Sequence, residues 1–114
     1  MEQLNRVELK GVVGAIRIQT FDETKMARIS VATNYAYKDR DGAMVIDTSW
    51  HCVVAWEGEK IRDLDKITKG SKIRVLGRLR YQNYVGTDGV ERMGVDILAS
   101  EVELLEDDKM TYQM

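Results

Sequence analysis

Trp50 and Trp56 stand six residues apart in a run rich in strand-forming side chains. On a β-strand an even spacing puts both rings on one face. Tyr35 and Tyr37 precede one turn-like segment, and Tyr81 and Tyr84 precede another. Cations are interleaved with them: Lys38 and Arg40 beside Tyr37, Arg78 and Arg80 before Tyr81. Flat rings beside cations suit the binding of unpaired nucleic acid. Each base stacked on an aromatic ring is worth roughly 1–3 kcal/mol, and Lys or Arg pairs with phosphate while releasing counterions. The competing reading is that Trp and Tyr are enriched in strands anyway and that the two tryptophans are core. If Trp50, Cys52, Val54 and Trp56 form one face, the other holds His51, Val53 and Ala55, which is apolar enough to be the inner side. Periodicity alone does not say which face is inside.

Other chemistries fail on inventory. The single histidine, His51, adjoins the single cysteine, Cys52. Neighbouring strand residues point to opposite faces and make a poor nucleophile and base pair. No second His or Cys exists to complete a zinc site, and Asp39 and Asp41 flank a turn without the rest of a calcium loop. The expectation is therefore no catalytic residue, no metal and no cofactor. His51 reads as a packed strand residue and Cys52 as a small apolar filler.

The elements that would carry these side chains repeat with a period of two. Val7, Leu9, Gly11 and Val13 alternate with Arg6, Glu8 and Lys10, and Ile29, Val31 and Thr33 with Arg28, Ser30 and Ala32. Ile73, Val75, Gly77 and Leu79 alternate with Lys72, Arg74, Leu76, Arg78 and Arg80, and Val95, Ile97 and Ala99 continue the period. Such alternation marks half-buried antiparallel strands. Turns separate them at Phe21–Thr24, at Asp39–Gly42 and at Gly86–Gly89, the last two ending in Asp-Gly. One segment, Glu57 to Lys69, carries Ile61, Leu64 and Ile67 every third residue before Gly70 and predicts a helix. The fold class expected is all-β with one short helix: an OB-fold, a five-stranded Greek-key barrel with extended β-hairpin loops and the helix between strands three and four. The chain of 114 residues makes one such domain over 1–105, with a short acidic and polar extension over 106–114.

At this point four blocks resemble one family. Asn5-Arg6-Val7-Glu8-Leu9-Lys10-Gly11 is similar to the opening strand of bacterial single-stranded DNA-binding proteins, and Ser30-Val31-Ala32-Thr33-Asn34 to their second strand. Thr48-Ser49-Trp50-His51-Cys52-Val53-Val54-Ala55-Trp56 resembles the family's Thr-Glu-Trp-His-x-Val-Val-x-Phe. Lys69-Gly70-Ser71-Lys72-Ile73-Arg74-Val75-Leu76-Gly77-Arg78-Leu79-Arg80 resembles its Lys-Gly-Ser-x-Val-x-Val-x-Gly-x-Leu-Arg. The resemblance runs from Asn5 to about Leu105. It implies an OB-fold homotetramer that wraps and protects single-stranded DNA in replication, recombination or repair. It places stacking at Tyr37, Trp50, Trp56 and Tyr84, and phosphate contacts at Lys38, Arg78, Arg80 and Arg92. Many relatives carry a cation or a polar group where this chain has Cys52. The segment from Ala15 to Thr24 is shorter than usual and lacks the family's Asp-Pro-Glu, so no contact is carried over there.

Net charge is −2, but its distribution is uneven. Residues 1–100 hold 16 Lys/Arg and 14 Asp/Glu, whereas residues 101–114 hold one Lys and five acids. The body is thus mildly basic, and where the cations fall on the fold decides the partner. No apolar run approaches the roughly 20 residues of a membrane span. With no apolar signal core at the N-terminus and a lone cysteine, a cytoplasmic setting is expected. The first strand, Arg6 to Val13, is expected to offer an edge to another subunit. The C-terminal residues lack the family's acidic tip, so no recruitment of repair enzymes through such a tip is expected. Two rivals remain open: an OB-fold accessory protein of replication restart acting through protein contacts, and an RNA-binding OB module, since stacking alone does not read the 2′-OH.

Overall fold

The computed structural model describes residues 1–105. Five strands follow one another: β1 (Val7–Phe21), β2 (Thr24–Lys38), β3 (Met44–Trp56), β4 (Lys72–Val85) and β5 (Glu91–Leu104). They close into a barrel in the order β1-β2-β3-β5-β4. All neighbours are antiparallel except β3 and β5, which meet in parallel at Val53–Ile97 and Val54–Leu98. This is the five-stranded OB-type barrel expected from the alternation. Among the described residues no helix is long and apolar enough to cross a membrane.

The strands run 13 to 15 residues, far beyond the usual five or six. The surplus forms two long hairpins. β2 stays paired to β3 as far as Lys38–Met44, and β4 to β5 as far as Val85–Glu91. Their turns work as the sequence predicts: Gly42 and Gly89 sit at φ 80° and 79°, where a side chain is penalised. The β1–β2 turn uses Asp22 and Glu23, both at positive φ, the two-residue geometry that matches strand twist.

The inward positions of the strands build the core. Ile29 and Val31 of β2, Val53 and Ala55 of β3, Ile73 and Val75 of β4 and Ile97 of β5 are all buried. β1 changes parity at a bulge between Val13 and Ala15. Before it the inward residues are Val7, Leu9, Gly11 and Val13; after it they are Ile16 and Ile18. The bulge therefore turns Ala15, Arg17 and Gln19 outward.

One sequence-based expectation needs correction. The helix expected over 57–69 is a single 3-10 turn, Leu64–Lys66. Ile61 instead bridges Gly58 and Val102 in extended pairing, and Asp63 adopts a left-handed conformation that breaks any helix. The threefold spacing was real but marked burial: Ile61, Leu64 and Ile67 are all buried against the core. β1 pairs with β4 along one side of Val7–Val12. Among the described residues no strand pairs with the other edge of Val7–Gly11.

Candidate nucleic-acid interface

The register of β2 and β3 settles which face of β3 is inside. Val53 and Ala55 are fully buried, and His51, on the same side, is half-buried with Nε2 2.8 Å from the Thr33 hydroxyl. Trp50 and Trp56 point the other way, 64% and 43% exposed. Their exposure excludes the core reading of the tryptophans. Apolar rings held outward by a rigid barrel are suited to stacking on a flat partner.

Each ring has a support. The Trp50 ring reaches across β2 and covers Gly14, the residue in the β1 bulge. A Cβ there would fall 2.4 Å from Cζ3 and 2.8 Å from Cη2 of Trp50. Trp56 packs against Phe21 from the end of β1, with ring centroids 5.7 Å apart and planes tilted by 45°. Phe21 belongs to the segment from which no contact was carried over, and its part in supporting Trp56 is missed by the sequence reading. The only local signal is an aromatic residue at the mouth of a tight turn.

The other expected aromatics occupy different faces. Tyr37 is paired with Val45, and Tyr35 with Asp47, on the side continuous with His51 and therefore opposite to Trp50. Lys38, paired with Met44, does share the tryptophan face. On the second hairpin Tyr84 pairs with Arg92, and Arg78 and Arg80 lie on that same side. Its opposite side carries Leu79, Tyr81, Met93 and Val95, all exposed. The sequence reading did not foresee this division. It follows from counting along paired strands rather than along one strand. A hollow of about 180 Å³ separates the two hairpins, lined by Trp50, His51, Leu79, Val95 and Ile97 among others.

The expected cations divide as well. Arg80 grips Asp96 through two bonds of 3.0 Å, Nε to one carboxylate oxygen and Nη2 to the other. These hydrogen bonds hold the guanidinium above its ordinary pKa against the opposing effect of burial. Arg92 donates to Asp88 at 2.6 Å across the turn. Lys38 and Arg78 make no ion pair among the described residues. Another hollow, about 610 Å³, lies elsewhere, near Lys60, Asp63, Lys66 and Glu101, whose charges pair with one another and offer no ring. Among the described residues no group of three His, Cys, Asp or Glu could hold a metal ion. The expectation about an acidic tip concerns residues 106–114 and lies outside the described residues.

The comparisons with known proteins agree with this barrel. The model of the "Single-strand binding protein family" matches residues 4–105. The chain is 39% identical over 106 residues to the single-stranded DNA-binding protein of Xanthomonas axonopodis pv. citri, covering 90% of this chain and 58% of that protein. It is 33% identical over 107 residues to that of Neisseria meningitidis, covering 90% and 60%. The chain thus spans about three fifths of the length of these relatives. Among solved structures, a deletion mutant of the single-stranded DNA binding protein from Thermus aquaticus superposes with a TM-score of 0.74 at 25% identity, covering 92% of this chain and 52% of that one. A Plasmodium falciparum protein in complex with single-stranded DNA shares the fold at 0.72 and 24% identity, covering 93% and 98%.

Proposed function

We propose that this chain, a member of the single-strand binding protein family, binds single-stranded DNA without strong sequence preference, by stacking bases on Trp50 and Trp56. The observation that carries the reading is the outward exposure of both tryptophans on one face of β3. Every base has a π-face, so a track of rings takes any sequence. Lys38 and Arg78, which make no ion pair among the described residues, flank the track and would meet phosphate. Tyr84 and Arg92 extend it along the second hairpin, while Tyr37 would meet a strand running over the opposite side of the first. Arg80 contributes through its fork with Asp96, which fixes the β4–β5 hairpin in register.

The reading includes no catalytic step and no cofactor. It covers a protective role in replication, recombination or repair in the cytoplasm, carried out by an assembly of several copies. A homotetramer is the expected form, and the open edge of Val7–Gly11 supports pairing between subunits. Light scattering should give a multiple of the 13.0 kDa chain mass; a monomer at micromolar concentration would contradict the assembly. Strand preference is tested by fluorescence anisotropy with an unstructured oligo-dT and a duplex of equal length. Tight binding to the single strand and weak binding to the duplex is expected, since stacking needs unpaired bases. Equal affinity for the two would overturn the reading.

A further inference from the structure

The outer face of β1, β2 and β3 holds a pair of cations that the fold itself leaves unbalanced. Arg17 of β1 stands directly opposite Arg28 of β2, and Arg28 in turn stands opposite Val54 of β3. The same register row continues through Leu98 of β5 to Arg78 of β4. Both Arg17 and Arg28 are exposed, and neither has an ion pair or side-chain hydrogen bond among the described residues. Like charges directly opposite on paired strands are destabilising. Arg74, Arg80 and Arg92 are matched, with Glu8 and Glu101, with Asp96 and with Asp88, whereas Arg78 at the far end of this row, like the facing pair, has no ion pair among the described residues. Two unmatched guanidinium groups directly opposite each other make a cationic spot on this surface.

Its position gives the pair a use. Along β3 Trp50, Cys52, Val54 and Trp56 share one parity, with Val54 buried between its neighbours, so the arginine row falls between the two exposed rings. The rings themselves are separated by about 20 Å of strand at ~3.3 Å per residue. Beside the pair is a shallow hollow of about 280 Å³ lined by Ala15, Arg17, Arg28, Ser30 and Cys52. Cys52 faces Ser30 across β2, one outward position from Arg28. Resting on the reading that bases stack on Trp50 and Trp56, we propose that Arg17 and Arg28 together bind the DNA backbone phosphates that pass between those two rings. They flank, from the neighbouring strands, the position held by Cys52. An anion between two guanidinium groups removes their repulsion and gains charge-assisted hydrogen bonds. Neither residue is recoverable from the sequence motifs. Arg17 faces outward only because of the bulge at Gly14, and the two meet only through the register of β1 and β2.

The test is a salt titration of oligo-dT binding to the full chain, comparing wild type, R17Q/R28Q, R17Q/R28Q/C52R and W56A, with thermal melts alongside. Single-strand binding loses about 0.7 in the slope of log K against log salt per phosphate contact removed. R17Q/R28Q should therefore flatten the slope by about 1.4, which amounts to a deficit that grows by about 60-fold between 1 M and 0.05 M salt. Its melting temperature at low salt should hold or rise, because the repulsion is gone. C52R in that background should restore part of the slope. W56A should weaken binding at every salt concentration with its slope intact. If R17Q/R28Q is folded and keeps the wild-type slope while W56A binds weakly, the arginine proposal is overturned and the stacking reading stands. If wild type itself does not bind oligo-dT, both fall.

Discussion

The six-membered ring of Trp50 rests on Gly14, three strands' breadth being spanned by one side chain that crosses β2. A methyl group at Gly14 would fall within 2.4 Å of the ring. Gly14 is not among the residues at positive φ, so the glycine is needed for space rather than for backbone conformation. The ring thereby has one side supported by main chain and one side free.

Gly14→Ala is accordingly a binding mutation more than a folding one. The exposed ring swings off the bulge, and the oriented stacking surface is lost. Affinity for oligo-dT should fall by up to about 1–3 kcal/mol, the worth of one stacked base, with the melting temperature little changed. In a Trp50→Ala background the same change should cost nothing further in binding. A large drop in melting temperature with wild-type affinity in the folded fraction would show that Gly14 serves the barrel instead.

The segment between β3 and β4 makes a second prediction through its backbone. Asp63 sits at φ 58°, in a region that costs a side-chain-bearing residue about 1–2 kcal/mol. Asp63→Gly should raise the melting temperature or leave it unchanged. Its ion pair with Lys66 is 4.0 Å long and exposed, so its loss matters little. Were 57–69 an α-helix, the same substitution would destabilise by about 0.3 kcal/mol, the difference between the helix propensities of Asp and Gly. A thermal melt separates the two cases by sign.

These elements mark where sequence is informative. The two-residue period of Ile73 to Leu79 and the Asp-Gly turns come from local chemistry, and they fix strands and hairpins in place. The spacing of Ile61, Leu64 and Ile67 reports burial alone. An extended loop that plugs a barrel buries every third residue as well as a helix does, and only the αL backbone at Asp63 and the bridge from Ile61 to Val102 decide between them. Of the site, Trp50 and Trp56 share a face by parity on one strand and were legible. The placement of Tyr37 on the opposite face, the seat of Trp50 on Gly14 and the pairing of Arg17 with Arg28 each depend on register between strands. That register is set by long-range packing and by the β1 bulge.

Arg78 and Arg80 should behave differently although they are two residues apart on one strand. Arg78 is exposed and makes no ion pair among the described residues, so Arg78→Ala should flatten the salt dependence by about 0.7 without loss of stability. Arg80→Ala should chiefly destabilise, because it leaves Asp96, whose side chain is only 12% exposed, without its partner. Melts and salt titrations of the two variants check this. Equal slopes and equal melting temperatures would contradict it.

The central claim is that unpaired bases stack on both exposed tryptophans of β3, and each ring can report on itself. Trp50→Ala leaves Trp56 as the sole tryptophan, and Trp56→Ala leaves Trp50. The decisive measurement is tryptophan fluorescence during titration of each single-tryptophan variant with oligo-dT at several salt concentrations. In both variants the remaining tryptophan should be quenched to saturation, with binding weaker than wild type by roughly 1–3 kcal/mol and an unchanged salt slope. A folded variant that binds oligo-dT while its remaining tryptophan keeps its full emission would contradict stacking at that ring.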